Sequence, residues 1–172
     1  MQKPERILIL GPESTGKSTL AADLAKHFGE PWAPEFAREY LEKLNRAYAF
    51  EDLSVIAKGQ IALEDELAQN ASKFLFVDTD LRVIKVWSEH KFDKVHDWIP
   101  EEIERRIYSK ILITDADLPW EADPLREHPD LGMRKYFLTK YLDLAGKSGF
   151  PFQLISGDRI SRLDHSVKFI SG

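Results

Sequence analysis

Residues 11 to 18 read Gly11-Pro12-Glu13-Ser14-Thr15-Gly16-Lys17-Ser18, a match to G-x-x-x-x-G-K-[ST] without a substitution. Glycines at both ends let the backbone wrap so that successive N–H groups point inward, and the helix that follows adds its positive N-terminal end. The stretch just before it, Ile7-Leu8-Ile9-Leu10, is aliphatic throughout, which predicts a central strand buried on both faces. Strand, loop and helix in that order form a phosphate cradle. Gly11, Glu13, Ser14, Thr15, Gly16, Lys17, Ser18 and Thr19 are accordingly the candidate nucleotide-binding residues. Lys17 is placed to reach the β- and γ-phosphates of a bound ATP or GTP, between which the motif does not choose, and the Ser18 hydroxyl suits a Mg²⁺ bridging them.

Four further apolar runs can join the first strand: Pro31 to Ala33, Phe74-Leu75-Phe76-Val77, Ile111-Leu112-Ile113 and Phe152-Gln153-Leu154-Ile155. Between them, apolar residues recur at helical spacing, as in Leu20, Leu24 and Phe28 or Ile56, Ile61, Leu63 and Leu67. Alternating strands and helices predict an α/β three-layer sandwich around a parallel sheet of about five strands with right-handed crossovers. At 172 residues, with no Gly/Ser-rich linker and no internal repeat, the expectation is a single domain over 1–172.

The chain has no cysteine, which excludes disulfides, thiolate metal sites and cysteine nucleophiles and suits a cytoplasmic location. With 24 Lys plus Arg against 29 Asp plus Glu, the net charge of -5 argues against a general nucleic-acid binder, while a local phosphate site draws on backbone N–H groups instead. No apolar run approaches the length of a membrane span, and the start of the chain predicts no signal peptide. Oligomeric state is not legible.

Phosphoryl transfer also needs acids, to hold Mg²⁺ and to accept a hydroxyl proton. Asp78-Thr79-Asp80 follows a predicted strand and so falls on the ligand edge of an open α/β sheet. Asp78 is the candidate proton acceptor and, with Ser18, the candidate metal ligand; Asp80 is assigned to the substrate. The alternative is that one of the three caps the helix starting near Leu81. Glu35, just past the second strand, is either a substrate-facing acid, with Asp80 a second reserve for the base, or a first-turn residue favourable to its helix dipole. Arg38, on the same helix, lines the pocket or pairs locally with Glu39.

The segment 115–134 is rich in Pro, Asp, Glu and Arg, and Pro119, Pro124, Pro129 and Gly132 predict that no regular helix forms there. It reads as a lid or as a plain surface loop. As a lid it would carry Arg126, and less strongly Arg134, over the transferring phosphate, and Trp120 would stack either on a substrate ring or on the lid itself. Ser156-Gly157-Asp158, after the last strand, falls at the edge where a nucleotide base would rest.

With these residues in hand, the chain resembles the ribosylnicotinamide kinase domain found at the C-terminus of NadR-type proteins and in stand-alone relatives, within the P-loop NTPase superfamily. The resemblance rests on Gly11 to Leu20, on Glu35-Phe36-Ala37-Arg38-Glu39-Tyr40, on Asp78-Thr79-Asp80, and on Asp117-Leu118-Pro119-Trp120 leading to Asp123-Pro124-Leu125-Arg126. These segments stand in the family's order and cover nearly the whole chain. Pro124 departs from the glycine of the family's Asp-Gly-Leu-Arg; it stiffens the segment and leaves Arg126 in place. The resemblance implies a P-loop kinase fold and transfer of the ATP γ-phosphate to the 5′-hydroxyl of nicotinamide riboside, giving nicotinamide mononucleotide. None of His27, His90, His96, His128 and His165 forms the H-x-G-H pattern of a nucleotidyltransferase, so the product is expected to pass to another enzyme. A kinase for another nucleoside or small metabolite needs the same parts. A P-loop ATPase switching a partner protein is the remaining alternative.

Overall fold

The computed structural model describes residues 3–172. Five strands, β1 (Glu5–Leu10), β2 (Trp32–Ala33), β3 (Phe74–Asp78), β4 (Lys110–Thr114) and β5 (Phe152–Ile155), form one sheet in the order β2-β3-β1-β4-β5, every neighbouring pair parallel. Among the described residues seven helices flank the sheet: α1 (Lys17–Phe28), α2 (Phe36–Lys43), α3 (Phe50–Ala68), α4 (Leu81–Phe92), α5 (Trp98–Arg105), α6 (Leu131–Ser148) and α7 (Arg159–Ser171). The expected three-layer α/β architecture is what forms.

The aliphatic run in β1 explains its central place. Ile7 and Ile9 face α1 and α7 with Phe74, Phe76 and Leu112, while Leu8 and Leu10 face α4 and α6 with Leu75, Val77, Ile111 and Ile113. All four β1 residues from Ile7 to Leu10 are fully buried, each contributing about 1.5–3 kcal/mol of hydrophobic stabilisation. A third apolar cluster, including Ala37, Leu53, Ile56, Ile84 and Ile99, joins α2, α3, α4 and α5.

Topology selects the functional edge. From β1 the chain reaches β2 and β3 on one side, then crosses to β4 and β5 on the other. The connections therefore diverge at the C-terminal end of β1, which opens a crevice there.

Two expectations are corrected. The second strand is shorter than Pro31 to Ala33, because Pro31 has no N–H to donate and enters only through its carbonyl, which accepts from Phe76 N–H at 3.3 Å. The segment 115–134 is not free of helix to its end. Asp130 caps α6 by accepting from Met133 N–H at 2.9 Å, and Gly132 lies inside the first turn. First-turn N–H groups have no intrahelical partner to lose, so a glycine there does not break the helix.

Candidate active site

The phosphate-type loop leaves β1 at Gly11, whose φ of +153° and closeness to β4 both demand glycine: a Cβ would lie 2.1 Å from Thr114 Oγ1. Thr15 braces the loop, donating to the Pro12 carbonyl at 2.7 Å and lying 2.6 Å from Thr114 Oγ1, so its buried hydroxyl serves the scaffold. Gly16, at φ +76°, caps α1, and Lys17 is the first helical residue. The Lys17 ammonium arches over the loop to donate to the Pro12 carbonyl at 2.8 Å.

Parallel pairing brings the first acid into this loop. Asp78 registers with Ile9 at the end of β1, and its Oδ2 accepts from Ser18 Oγ at 2.5 Å. Asp78 is fully buried; burial pushes its carboxyl up, opposed chiefly by Lys17. Glu35, the residue before α2, lines the same crevice, and burial, then the Asp78 charge, push its pKa up to about 7. The Asp78 charge thus bears on Glu35, and Lys17 draws both carboxyls back down.

Asp80 goes elsewhere. It caps α4, accepting from Arg82 N–H at 2.9 Å, and pairs with the buried Arg82 guanidinium. Arg82 lies over the Tyr108 ring, whose hydroxyl donates to Glu64, itself paired with Arg6 and Arg106. Its carboxylate therefore belongs to a buried charge network and does not line the cleft, which corrects the expectation that it meets the substrate. Between the two acids, Thr79 holds φ +75°, a left-handed conformation unusual for a β-branched residue.

The segment after β4 folds over the loop. Arg126 lines the cleft, donating to Ser14 Oγ at 3.4 Å and to the Glu121 carbonyl. Arg134 is no exposed lid residue: it is buried on α6 and donates to the carbonyls of Glu13, Ser14 and Leu118. Both guanidiniums lie about 6 Å from the centre of the Trp120 ring, at 5.9 and 5.8 Å. Trp120 thus meets two arginines of its own segment. Arg38, at the rim, pairs with Asp123 at 3.0 Å and more distantly with Glu42 at 3.8 Å, not with Glu39, which pairs with Lys43.

Lys17, Ser18, Glu35, Arg38 and Arg126 share one cleft of about 360 Å³, and the fully buried Asp78 meets it through Ser18. One end is walled by Glu35, Leu41, Val83, Trp87, Leu125 and Tyr141, the other by Asp23, Leu118, Pro119, Arg159 and Arg162, with the loop between. Sequence reasoning missed Arg162. Buried on α7, it donates to Thr15 O at 2.5 Å, Gly157 O at 2.7 Å and Asp115 O at 3.1 Å and pairs with Asp117. The signal was present: Asp158 caps α7, which aims a residue one turn in, on the same face, back at the loop.

The donor set fits Mg²⁺ with a polyphosphate. Among the described residues no group of three or more His, Asp or Glu could hold a metal by itself. One hydroxyl and one carboxylate, at Ser18 and Asp78, are the sparse protein share that Mg²⁺ takes when phosphates and waters supply the rest. No helix among the described residues is long and apolar enough to cross a membrane.

A family model described as an AAA domain matches residues 6–162. Among curated proteins, the trifunctional NAD biosynthesis/regulator protein NadR of Escherichia coli strain K12 is 27% identical over 168 residues, covering 95% of this chain and 40% of that protein. The chain therefore spans less than half of this relative's length. Among solved structures, NadR in complex with NAD and AMP-PNP superposes with a TM-score of 0.80 at 20% identity, over 97% of this chain and 48% of that one. NadR in complex with NR gives 0.74 at 21% identity, again over 97% and 48%. The likeness to the NadR-type kinase domain read from the sequence is thus present in both sequence and fold.

Proposed function

The chain belongs to the AAA domain family, and from that premise we propose that it is a small-molecule kinase that transfers the γ-phosphate of ATP to the 5′-hydroxyl of nicotinamide riboside. The observation that carries this reading is the continuity of one cleft from the Lys17 loop and the Ser18–Asp78 pair to an end walled by Glu35, Trp87 and Tyr141. A nucleotide-hydrolysing switch needs only the loop. A kinase needs a second compartment opening on the same phosphate, and this cleft has room for one. The acid and the two aromatics suit a ring bearing positive charge, which supports the riboside over neutral nucleosides. Likeness to NadR solved with NR and with AMP-PNP supports the same choice.

In this reading the Lys17 ammonium neutralises charge on the moving phosphate, and the loop N–H groups hold the oxygens it leaves behind. Ser18 and Asp78 would hold a Mg²⁺, which supplies charge neutralisation across the β- and γ-phosphates. Asp78 accepts the proton of the acceptor hydroxyl, Glu35 faces the pyridinium, and Arg126 covers the phosphate and helps exclude water. The transition state is loose, so most of the catalysis is positioning and electrostatics, with the base contributing about 10²–10⁴-fold.

The test is a coupled phosphorylation assay against nicotinamide riboside and common nucleosides, with Lys17→Ala as the blank. Riboside-dependent ADP release is expected. ATP turnover that is indifferent to every acceptor, or undiminished in Lys17→Ala, would overturn the reading.

A further inference from the structure

Glu13 is an acid inside a loop suited to polyphosphate, where a carboxylate pointing inward would repel the anion. It points outward. Oε1 and Oε2 each lie 3.2 Å from the Glu127 N–H, and Oε2 also accepts from the His128 N–H at 3.0 Å. The neighbouring Ser14, at φ +56°, uses its hydroxyl to accept from the Glu121 N–H at 2.9 Å and from Arg126 at 3.4 Å. Two consecutive loop side chains therefore hold both ends of the segment 121–128, and Arg126 sits between the two anchors.

The nearer anchor is charge-assisted and immediately follows Arg126 in sequence. Residues 127 and 128 belong to no helix or strand, so these N–H groups have no ladder to satisfy them. A carboxylate accepting both fixes the backbone on the C-terminal side of Arg126. With the Glu13 and Ser14 carbonyls also held by Arg134, the loop and the segment above it form one braced unit.

We propose that Glu13 is a positioning residue for Arg126: its carboxylate sets where the guanidinium stands over the phosphate loop, and it makes no contact with the nucleotide. The proposal rests on the reading of Arg126 as the group that meets the transferring phosphate. Without the anchor, Arg126 samples positions from which it cannot meet developing charge, so turnover falls while ground-state ATP binding is kept.

Three variants test this: Glu13→Ala, Glu13→Gln and Arg126→Ala, with the double variant Glu13→Ala/Arg126→Ala. Glutamine keeps a carbonyl oxygen for the same N–H groups and loses the charge. Amide hydrogen exchange at Glu127 and His128 is expected to quicken about tenfold or more in Glu13→Ala and to stay within about threefold of wild type in Glu13→Gln. Turnover is expected to fall about tenfold in Glu13→Ala with the KM for ATP within about threefold. The same substitution should cost less than about twofold once Arg126 is already alanine. Unchanged exchange in Glu13→Ala overturns the anchor whatever Arg126 does. Additive effects in the double variant, or equal gains in ATP affinity in Glu13→Ala and Glu13→Gln, overturn the positioning role in favour of simple charge repulsion. Unchanged turnover in Arg126→Ala alone overturns the reading beneath the proposal and the proposal with it, and exchange at Glu127 then shows the anchor as purely structural.

Discussion

Ser18 Oγ donates to Asp78 Oδ2 at 2.5 Å, tying the start of α1 to the end of β3 across 60 residues of sequence. The contact follows from register, because pairing Ile9 with Asp78 leaves the acid level with the loop that leaves β1. If this pair receives Mg²⁺ in the proposed reaction, Ser18→Ala should raise the Mg²⁺ concentration for half-maximal turnover about tenfold, and because it also takes a donor from the buried Asp78 carboxylate it should cost about 1–3 kcal/mol of stability. A titration of initial rate against Mg²⁺ reads this directly. Superimposable wild-type and variant curves would remove Ser18 from the metal site.

The two arginines near the lid should separate by what they break. Arg126→Ala is expected to lower turnover more than it weakens ATP binding, because a guanidinium over the cleft acts mainly as charge develops. Arg134 is buried with its head on three backbone carbonyls, so Arg134→Ala strands acceptors inside the fold. That should cost about 1–3 kcal/mol per group left unsatisfied. Melting temperature then falls by several degrees, at about 2–4 °C per kcal/mol for a chain of this size. Thermal melts beside steady-state kinetics tell the two apart. Equal melting temperatures would show that Arg134 is dispensable to the fold.

The contrast shows where sequence reasoning held and where it stopped. The sheet was legible because Ile7 to Leu10 and Phe74 to Val77 carry no polar interruption, and a strand of that kind is buried on both faces. The loop was legible because its spacing is a physical requirement for wrapping phosphate. Asp78 and Asp80 differ by two residues and one left-handed Thr79, and nothing in their spelling says that one turns to Ser18 at the loop and the other to Arg82 on α4. Side-chain direction past a strand end depends on that backbone geometry. Arg134 and Arg162 were undervalued because exposed arginines are the common case, whereas here clustered carbonyls draw both inside.

Asp80 supports the fold through Arg82, and its substitution should be read as a stability change. Asp80→Asn keeps the cap for Arg82 N–H but leaves the buried Arg82 guanidinium without its carboxylate. Breaking a buried pair from one side costs about 3–5 kcal/mol. The double variant Asp80→Asn/Arg82→Met, which removes both charges, should recover a good part of that loss. Urea denaturation of wild type, Asp80→Asn, Arg82→Met and the double variant measures the coupling. A full-strength fold in Asp80→Asn with a raised KM for the riboside would instead return Asp80 to the substrate.

Glu35 and Asp78 should divide binding from chemistry, and pH exposes the division. Glu35 titrates near about 7 in the folded protein, against 4.5 for an ordinary glutamate, because burial and then the Asp78 charge favour its neutral form. Between those two values the unfolded chain has released the proton that the folded chain keeps. Stability therefore falls as pH rises through this window and levels off above it. Glu35→Gln removes that term, so the variant should be more stable than wild type by about 1–3 kcal/mol at pH 8, with the gap closing toward pH 4.5. In the proposed reaction an ionised Glu35 faces the pyridinium. The KM for the riboside should accordingly drop as pH climbs through about 7 in wild type, and in Glu35→Gln it should be higher and lose that dependence. Asp78→Asn keeps the shape beside Ser18 and removes the charge, so turnover should fall about 10²–10⁴-fold at saturating riboside. Should Glu35→Gln instead lose turnover at saturation while Asp78→Asn keeps most of it, the proton acceptor is Glu35, and Asp78 is left to position the metal.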